Sequence, residues 1–210
     1  MLEYLEFYRP APLEAAIEAF YRKHRILSPQ DIDLEMFAAD TDIIVRQRTG
    51  KTLALRLKRH YVIFLDRRLP WPHRRVELAH ELGHVLMHVG RQELLTDDFR
   101  ALQEWRADRF AMYALVPTFM FANCLTNANS REQLVSQLAY TFDVPEVFMD
   151  VPLRLLEQSM NDLVSQRQLE HVVAEQRTLY DYSFRHPANP RIEYLVKDGA
   201  VVHRRQRAEL

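Results

Sequence analysis

Leu53, Leu55 and Leu57 alternate with Ala54, Arg56 and Lys58, a period of two that buries one face of a strand and solvates the other. Thr41–Arg46 is β-branched, and Tyr61-Val62-Ile63-Phe64-Leu65 is apolar on both faces, the pattern of an inner strand. Arg48-Thr49-Gly50-Lys51 and Lys58-Arg59-His60 then read as hairpin turns. Around these strands the apolar spacing is helical. It predicts helices over Leu13–Tyr21, Ile32–Ala39, Pro72–His88 with Gly90 as an αL cap, and Asp98–Leu115 begun by Asp97 or Asp98 and stopped by Pro117. Ser130 and Gln133 stand at capping-box spacing ahead of a helix to Tyr140, and Pro145 precedes another over Glu146–Gln158 or a little beyond. In the tail, Ile192–Val196 and Val201–Arg204 flank Asp198-Gly199, a hairpin signal. These elements predict an α+β fold, with a domain over 1–160 and a C-terminal extension over 161–210.

The chain of 210 residues is long enough for a full hydrophobic core, and its 48% apolar content excludes a disordered chain. One cysteine, Cys124, excludes a disulfide scaffold and a Cys-rich zinc module, and reads as a small core residue. No apolar run approaches the roughly 20 residues of a bilayer span, and MLEYLEFYRP lacks the order of a signal peptide. The expectation is a soluble, cytoplasmic protein with no membrane contact. The net charge of −1 gives no general case for nucleic acid. Locally, however, residues 46–75 hold ten Arg/Lys and only Asp66 as an acid. That block is either a solvated sheet face with charge-protected edges or a docking surface for an acidic partner.

The chemistry concentrates in His80-Glu81-Leu82-Gly83-His84, an HExxH. On a helix, residues four apart share a face, so both imidazoles can address one zinc ion, while Glu81 is placed to act as general base toward a water. Val76, Leu78, Ala79, Leu82, Val85, Leu86 and Met87 make the helix apolar almost all round, and buried imidazoles need partners. A zinc hydrolase needs a third protein ligand. A metzincin pattern fails, because it requires Gly and His where Met87 and Gly90 stand. His88 lies about 12 Å along the axis from His80, too far for the same ion, and reads as a packing histidine. Glu104 is the next acid on a good helix, and Asp108, one turn on, can accept the second ring N–H of a ligating histidine. Glu93, Asp97 and Asp98 are rivals, although a loop or cap position accounts for them. Tyr113 and Tyr140 are candidate oxyanion donors. Leu134–Leu156 has the outline of a helix-turn-helix, but residues 130–160 carry two Arg against five acids, so direct nucleic-acid binding is not expected.

His80-Glu81-Leu82-Gly83-His84 with His88, followed by Glu104-x-x-Ala107-Asp108-x-Phe110-Ala111 and Leu115-x-Pro117, resembles the ImmA/IrrE family of bacterial metallopeptidases over residues 12 to 160. The resemblance implies a zincin-like core with a small twisted sheet packed on the HExxH helix and further helices around it. It implies Zn²⁺ held by His80, His84 and Glu104, with Glu81 catalytic and Asp108 supporting a ligand. It also implies a protein substrate, a helix-turn-helix repressor of a mobile element, prophage or stress response, bound along an exposed strand edge in 53–65. The alternative is a non-catalytic, metal-containing regulator that acts by binding a partner.

Overall fold

The computed structural model describes residues 8–39, 41–57, 60–87, 96–124 and 128–206. The architecture is α+β, and the chain divides into two compact units, Met1–Gln158 and Ser159–Leu210.

The first unit holds helices α1 (Pro12–Lys23), α2 (Glu35–Ala39), α3 (Trp71–Met87), α4 (Asp97–Leu115), α5 (Phe121–Cys124) and α6 (Arg131–Phe142), with strands β1 (Ile43–Arg48), β2 (Leu53–Leu57) and β3 (His60–Asp66). Pro12 starts α1 where a missing N–H costs nothing. Glu14 returns to the Ala11 N–H at 3.3 Å and takes the Tyr8 hydroxyl at 2.7 Å. Tyr21, fully buried, donates its hydroxyl to the Ala114 carbonyl of α4. Phe37 stacks on Phe20 and meets Phe110 edge-on, joining α1, α2 and α4 in one core. Ser130 caps α6 by accepting the Gln133 N–H at 3.2 Å, as the spacing predicts. Thr96, rather than Asp97 or Asp98, occupies the N-cap position of α4.

The sheet order is β1-β3-β2, with β1 parallel and β2 antiparallel to β3. The turn at 48–51 therefore joins no hairpin. β3, apolar on both faces, takes the centre, and residues 49–52 carry the chain past its C-terminal end to the opposite edge. Asp66 secures that crossing. Its N–H donates to Thr52 Oγ1 at 3.1 Å, and its carboxylate accepts the Arg68 side chain at 2.6 Å and the Arg68 N–H at 3.1 Å. These hydrogen bonds hold the Asp66 carboxyl well below the ordinary carboxylate range.

A second correction concerns β2. Residues paired across strands share a face, so Ala54, Ile63 and Val45 line one side, and Leu55, Val62 and Ile44 the other. Ile63 and Leu65 are buried on the first side. The leucines lie on the second, where Leu55 is 45% and Leu57 52% exposed. The alternation is present, but along β2 its apolar face is the more open one, although Val62 on the same side is buried.

The last helix, α7 (Glu146–Leu179), starts in the first unit and runs into the second, well past Gln158. From 153 to 179 it meets neither Gly nor Pro and is rich in Gln, Arg, Leu and Glu, so nothing local stops it. The second unit then adds an antiparallel sheet of β4 (Tyr182–His186), β5 (Asn189–Lys197) and β6 (Ala200–Gln206). β5 and β6 are joined at Asp198 and Gly199, both at positive φ, the backbone of a two-residue type I′ turn. No helix among the described residues is long and apolar enough to cross a membrane.

Candidate functional site

α3 and α4 cross beside β2, and their contact surfaces carry the chemistry. α3 is buried along one face only, through Arg75, Leu78, Ala79, Leu82 and Gly83, rather than all round. Val76 and Val85 are half-buried and Leu86 is exposed. The partly open flank presents His80 and His84. The two Nε2 atoms approach to 2.9 Å, and Glu104 Oε2 of α4 stands 3.3 Å from His80 Nε2 and 3.4 Å from His84 Nε2. Ligands about 2.0–2.1 Å from a tetrahedral ion stand about 3.3 Å apart, so this triangle has the dimensions of one face of such a site. Two imidazole nitrogens and a carboxylate oxygen are also the donor set that a divalent ion of this kind accepts.

Asp108, one turn beyond Glu104, accepts from His80 Nδ1 at 2.8 Å. That bond places the proton on Nδ1 and leaves Nε2 with a lone pair facing His84 and Glu104. Glu81 points away from this triangle toward the sheet. The Ala54 N–H donates to Glu81 Oε2 at 2.8 Å. Burial pushes the Glu81 carboxyl above its ordinary value, and the Ala54 N–H and His80 oppose that shift. Because the Ala54 N–H faces Glu81 it does not face β3, so β2 turns toward the site an edge with no strand beside it among the described residues.

The sequence does not single out Ala54 or Gly83. A Cβ on Gly83 would lie 2.9 Å from Ala107 Cα and 3.1 Å from Phe110 Cβ, so the absent side chain is what lets α4 approach α3. A glycine inside a helix costs about 1 kcal/mol relative to alanine, which is the signal that the position serves packing.

The other candidates fall elsewhere. Asp97 pairs with Arg100 in the first turn of α4, and Asp98 lies in the same turn. Burial pushes the Tyr113 hydroxyl above its ordinary value, and Tyr140 is 90% exposed on α6. Cys124 is half-buried. His88, Gly90 and Glu93 lie outside the described residues. Arg75, buried, reaches Asp143 at 3.2 Å and ties α3 to the turn between α6 and α7.

An α+β unit with a His-His-Glu cluster at a helix crossing has the donor set a metallopeptidase uses. Residues 38–154 match the IrrE N-terminal-like domain family of peptidases, more than half of the chain, and the chain belongs to that family. It is 29% identical over 165 residues to the phage-like element PBSX protein XkdA of Bacillus subtilis (strain 168), covering 79% of this chain and 83% of that protein. It is 26% identical over 141 residues to the uncharacterized protein YqaB of the same organism, covering 67% and 81%. Peptidase membership implies a protein substrate.

Proposed function

We propose that the protein is a zinc-dependent endopeptidase whose substrate is a helix-turn-helix repressor of a mobile element, prophage or stress response. The observation that carries the reading is the juxtaposition of the His80–His84–Glu104 triangle with Glu81, which stands outside the triangle, beside the Ala54 N–H, and so is not spent as a ligand. In this reading the domain is zincin-like, works in the cytoplasm, and occupies residues 1–160. The likeness to a protein of a phage-like element supports a substrate among the regulators of such elements.

His80, His84 and Glu104 would hold the ion, which supplies Lewis acidity toward water and the scissile carbonyl. Asp108 keeps His80 in the tautomer whose Nε2 faces the cluster. Glu81 takes a proton from the attacking water and delivers it to the leaving amine, and the burial that raises its carboxyl makes it a stronger base than an exposed glutamate. The open edge of β2 can hold an extended substrate strand by backbone hydrogen bonds, next to the groups that cut it.

Glu81→Gln keeps size and hydrogen bonding but accepts no proton. Co-expression of wild type and Glu81→Gln with repressors encoded beside this chain, followed by intact mass, tests the reading. Wild type should fragment one of them, and Glu81→Gln should be slower by about 10²–10⁴-fold or more. Equal fragmentation by both places the base elsewhere. A partner that is bound and left whole by both favours the non-catalytic regulator.

A further inference from the structure

Leu53, Leu55 and Leu57 carry the alternation of a buried strand face, yet Leu53 is half-buried and Leu55 and Leu57 are 45% and 52% exposed, flanking a buried Val62 on their side of the sheet. The cross-strand rows on that side read Ile44–Val62–Leu55 and Arg46–Phe64–Leu53. Ile44 is 38% exposed, and Arg48 lays its guanidinium 4.6 Å above the Phe64 ring. The face is thus apolar through its centre and along β2, and basic along β1. A sheet covered on one side only is polar on the other. This composition belongs instead to a sheet with a layer on both sides.

The charge around the strip is mainly basic; the exposed Asp42 ahead of β1 stands 3.8 Å from His60, opposite Leu57. Between Ile43 and Arg75 the single acid is Asp66, which is buried and held by Arg68. Arg46 is exposed beside the apolar rows, and its contact is with the neighbouring Val45 carbonyl. Leucine, valine and isoleucine offer no stacking platform for bases, and the Phe64 ring is half-buried under the Arg48 guanidinium, so phosphate-rich chains gain little there. An amphipathic helix gains on both counts, with apolar residues over the β2 and β3 side chains and acids against Arg46 and Arg48.

We propose that this outer sheet face is a docking site for an acidic, amphipathic helix of the protein that the enzyme cuts, so that it selects the substrate away from the His80–His84–Glu104 cluster. The word "substrate" rests on the peptidase reading; the binding does not.

The probe is a fluorescein-labelled synthetic helix of about five turns, leucine on one face and glutamate on the other. Binding to the full chain is followed by anisotropy, with circular dichroism as the control for folding. Wild type and Glu81→Gln should bind alike, and added salt should weaken binding. A lysine-for-glutamate peptide should bind at least tenfold more weakly, as should the variants Leu55→Ser/Leu57→Ser and Arg46→Gln/Arg48→Gln. No binding, equal binding of the lysine peptide, or folded variants that bind like wild type would each overturn the proposal. Displacement of the peptide by duplex DNA would reassign the face to nucleic acid. A chain that binds the probe and cuts no repressor refutes the peptidase reading alone, and one that cuts repressors without binding the probe refutes the docking face alone.

Discussion

Gly83 and Ala107 meet where α3 crosses α4, so closely that a methyl group on Gly83 would stand 3.0 Å from the Ala107 carbonyl oxygen and 2.9 Å from its Cα. Gly83 lies between His80 and His84, and Ala107 between Glu104 and Asp108. The helix contact that has no room for a side chain is therefore the same contact that sets the triangle.

Gly83→Ala should raise intrinsic helix propensity and still destabilise the protein, because the methyl meets backbone rather than a movable side-chain end. Overpacking of this kind costs about 1–3 kcal/mol. Moving α4 outward also draws Glu104 from the two histidines. Thermal unfolding should show a lowered Tm, and titration with zinc should show affinity reduced by about tenfold or more. Full affinity with a lowered Tm would separate the packing of Gly83 from zinc binding.

The cluster should respond to its members in a graded way. His80→Ala, His84→Ala and Glu104→Ala each remove one of three donors and should leave little bound zinc, while circular dichroism stays close to wild type because a core of this size does not depend on one ion. Asp108→Ala removes a partner of His80 instead, and should cost about 10–100-fold in affinity. Elemental analysis after dialysis at fixed zinc concentration ranks them. Equal loss in Asp108→Ala and His84→Ala would make Asp108 a donor to the ion, and normal zinc in Glu104→Ala would remove Glu104 from the set.

Much of this site is legible in one dimension because helical spacing is rigid. His80 and His84 must share a face, and Glu104 and Asp108 must share another, whatever the fold does. Which helix faces meet is not local information. Gly83 hints at it only through the cost of glycine in a helix, and the Ala54 N–H has no side-chain signature at all. The strands show the same division. The doubly apolar run at 61–65 marks the centre of the sheet, yet it sits badly with a hairpin at 48–51 that would put β2 in the middle. The structure resolves the conflict in favour of burial, with β1 parallel to β3. The orientation of Leu53, Leu55 and Leu57 escapes the pattern because alternation tells which residues share a face and not which face is covered. β4 is short and its residues alternate aromatic with polar only from Tyr182 to Arg185, too few for a period to declare itself.

Asp66 offers a test of the crossing loop. Its carboxyl is held low by the side chain and the N–H of Arg68, so the folded state favours the charged form. A depressed folded pKa contributes stability that is complete above the unfolded value, about 3.9 for aspartate, and is lost as pH falls toward the folded one. Asp66→Asn should therefore lower Tm at pH 7, and its difference from wild type should hold down to about pH 5 and shrink below about pH 4. Thermal scans from neutral to acidic pH measure it. No difference between Asp66→Asn and wild type at pH 7 would mean that the loop is held by the Asp66 N–H to Thr52, which both share, and not by the charge.

The edge of β2 permits a change that touches Glu81 and little else. Proline at Ala54 removes one N–H, and on an edge strand with that N–H turned outward no ladder bond is lost. The hydrogen bond removed is the one from Ala54 to Glu81 Oε2. A donor to a carboxylate favours its charged form, so its loss should raise the Glu81 carboxyl further above its ordinary value. If Glu81 is the base that must be unprotonated to work, the acidic limb of the pH–rate profile should move to higher pH in Ala54→Pro. Zinc content should stay at the wild-type level, because His80, His84 and Glu104 keep their places. Ala54→Gly, which keeps the N–H, should leave the limb where it is and so controls for a weakened strand. An unmoved acidic limb in a folded, zinc-replete Ala54→Pro would show that another group governs it. Loss of zinc in the same variant would show instead that β2 supports the ligands themselves.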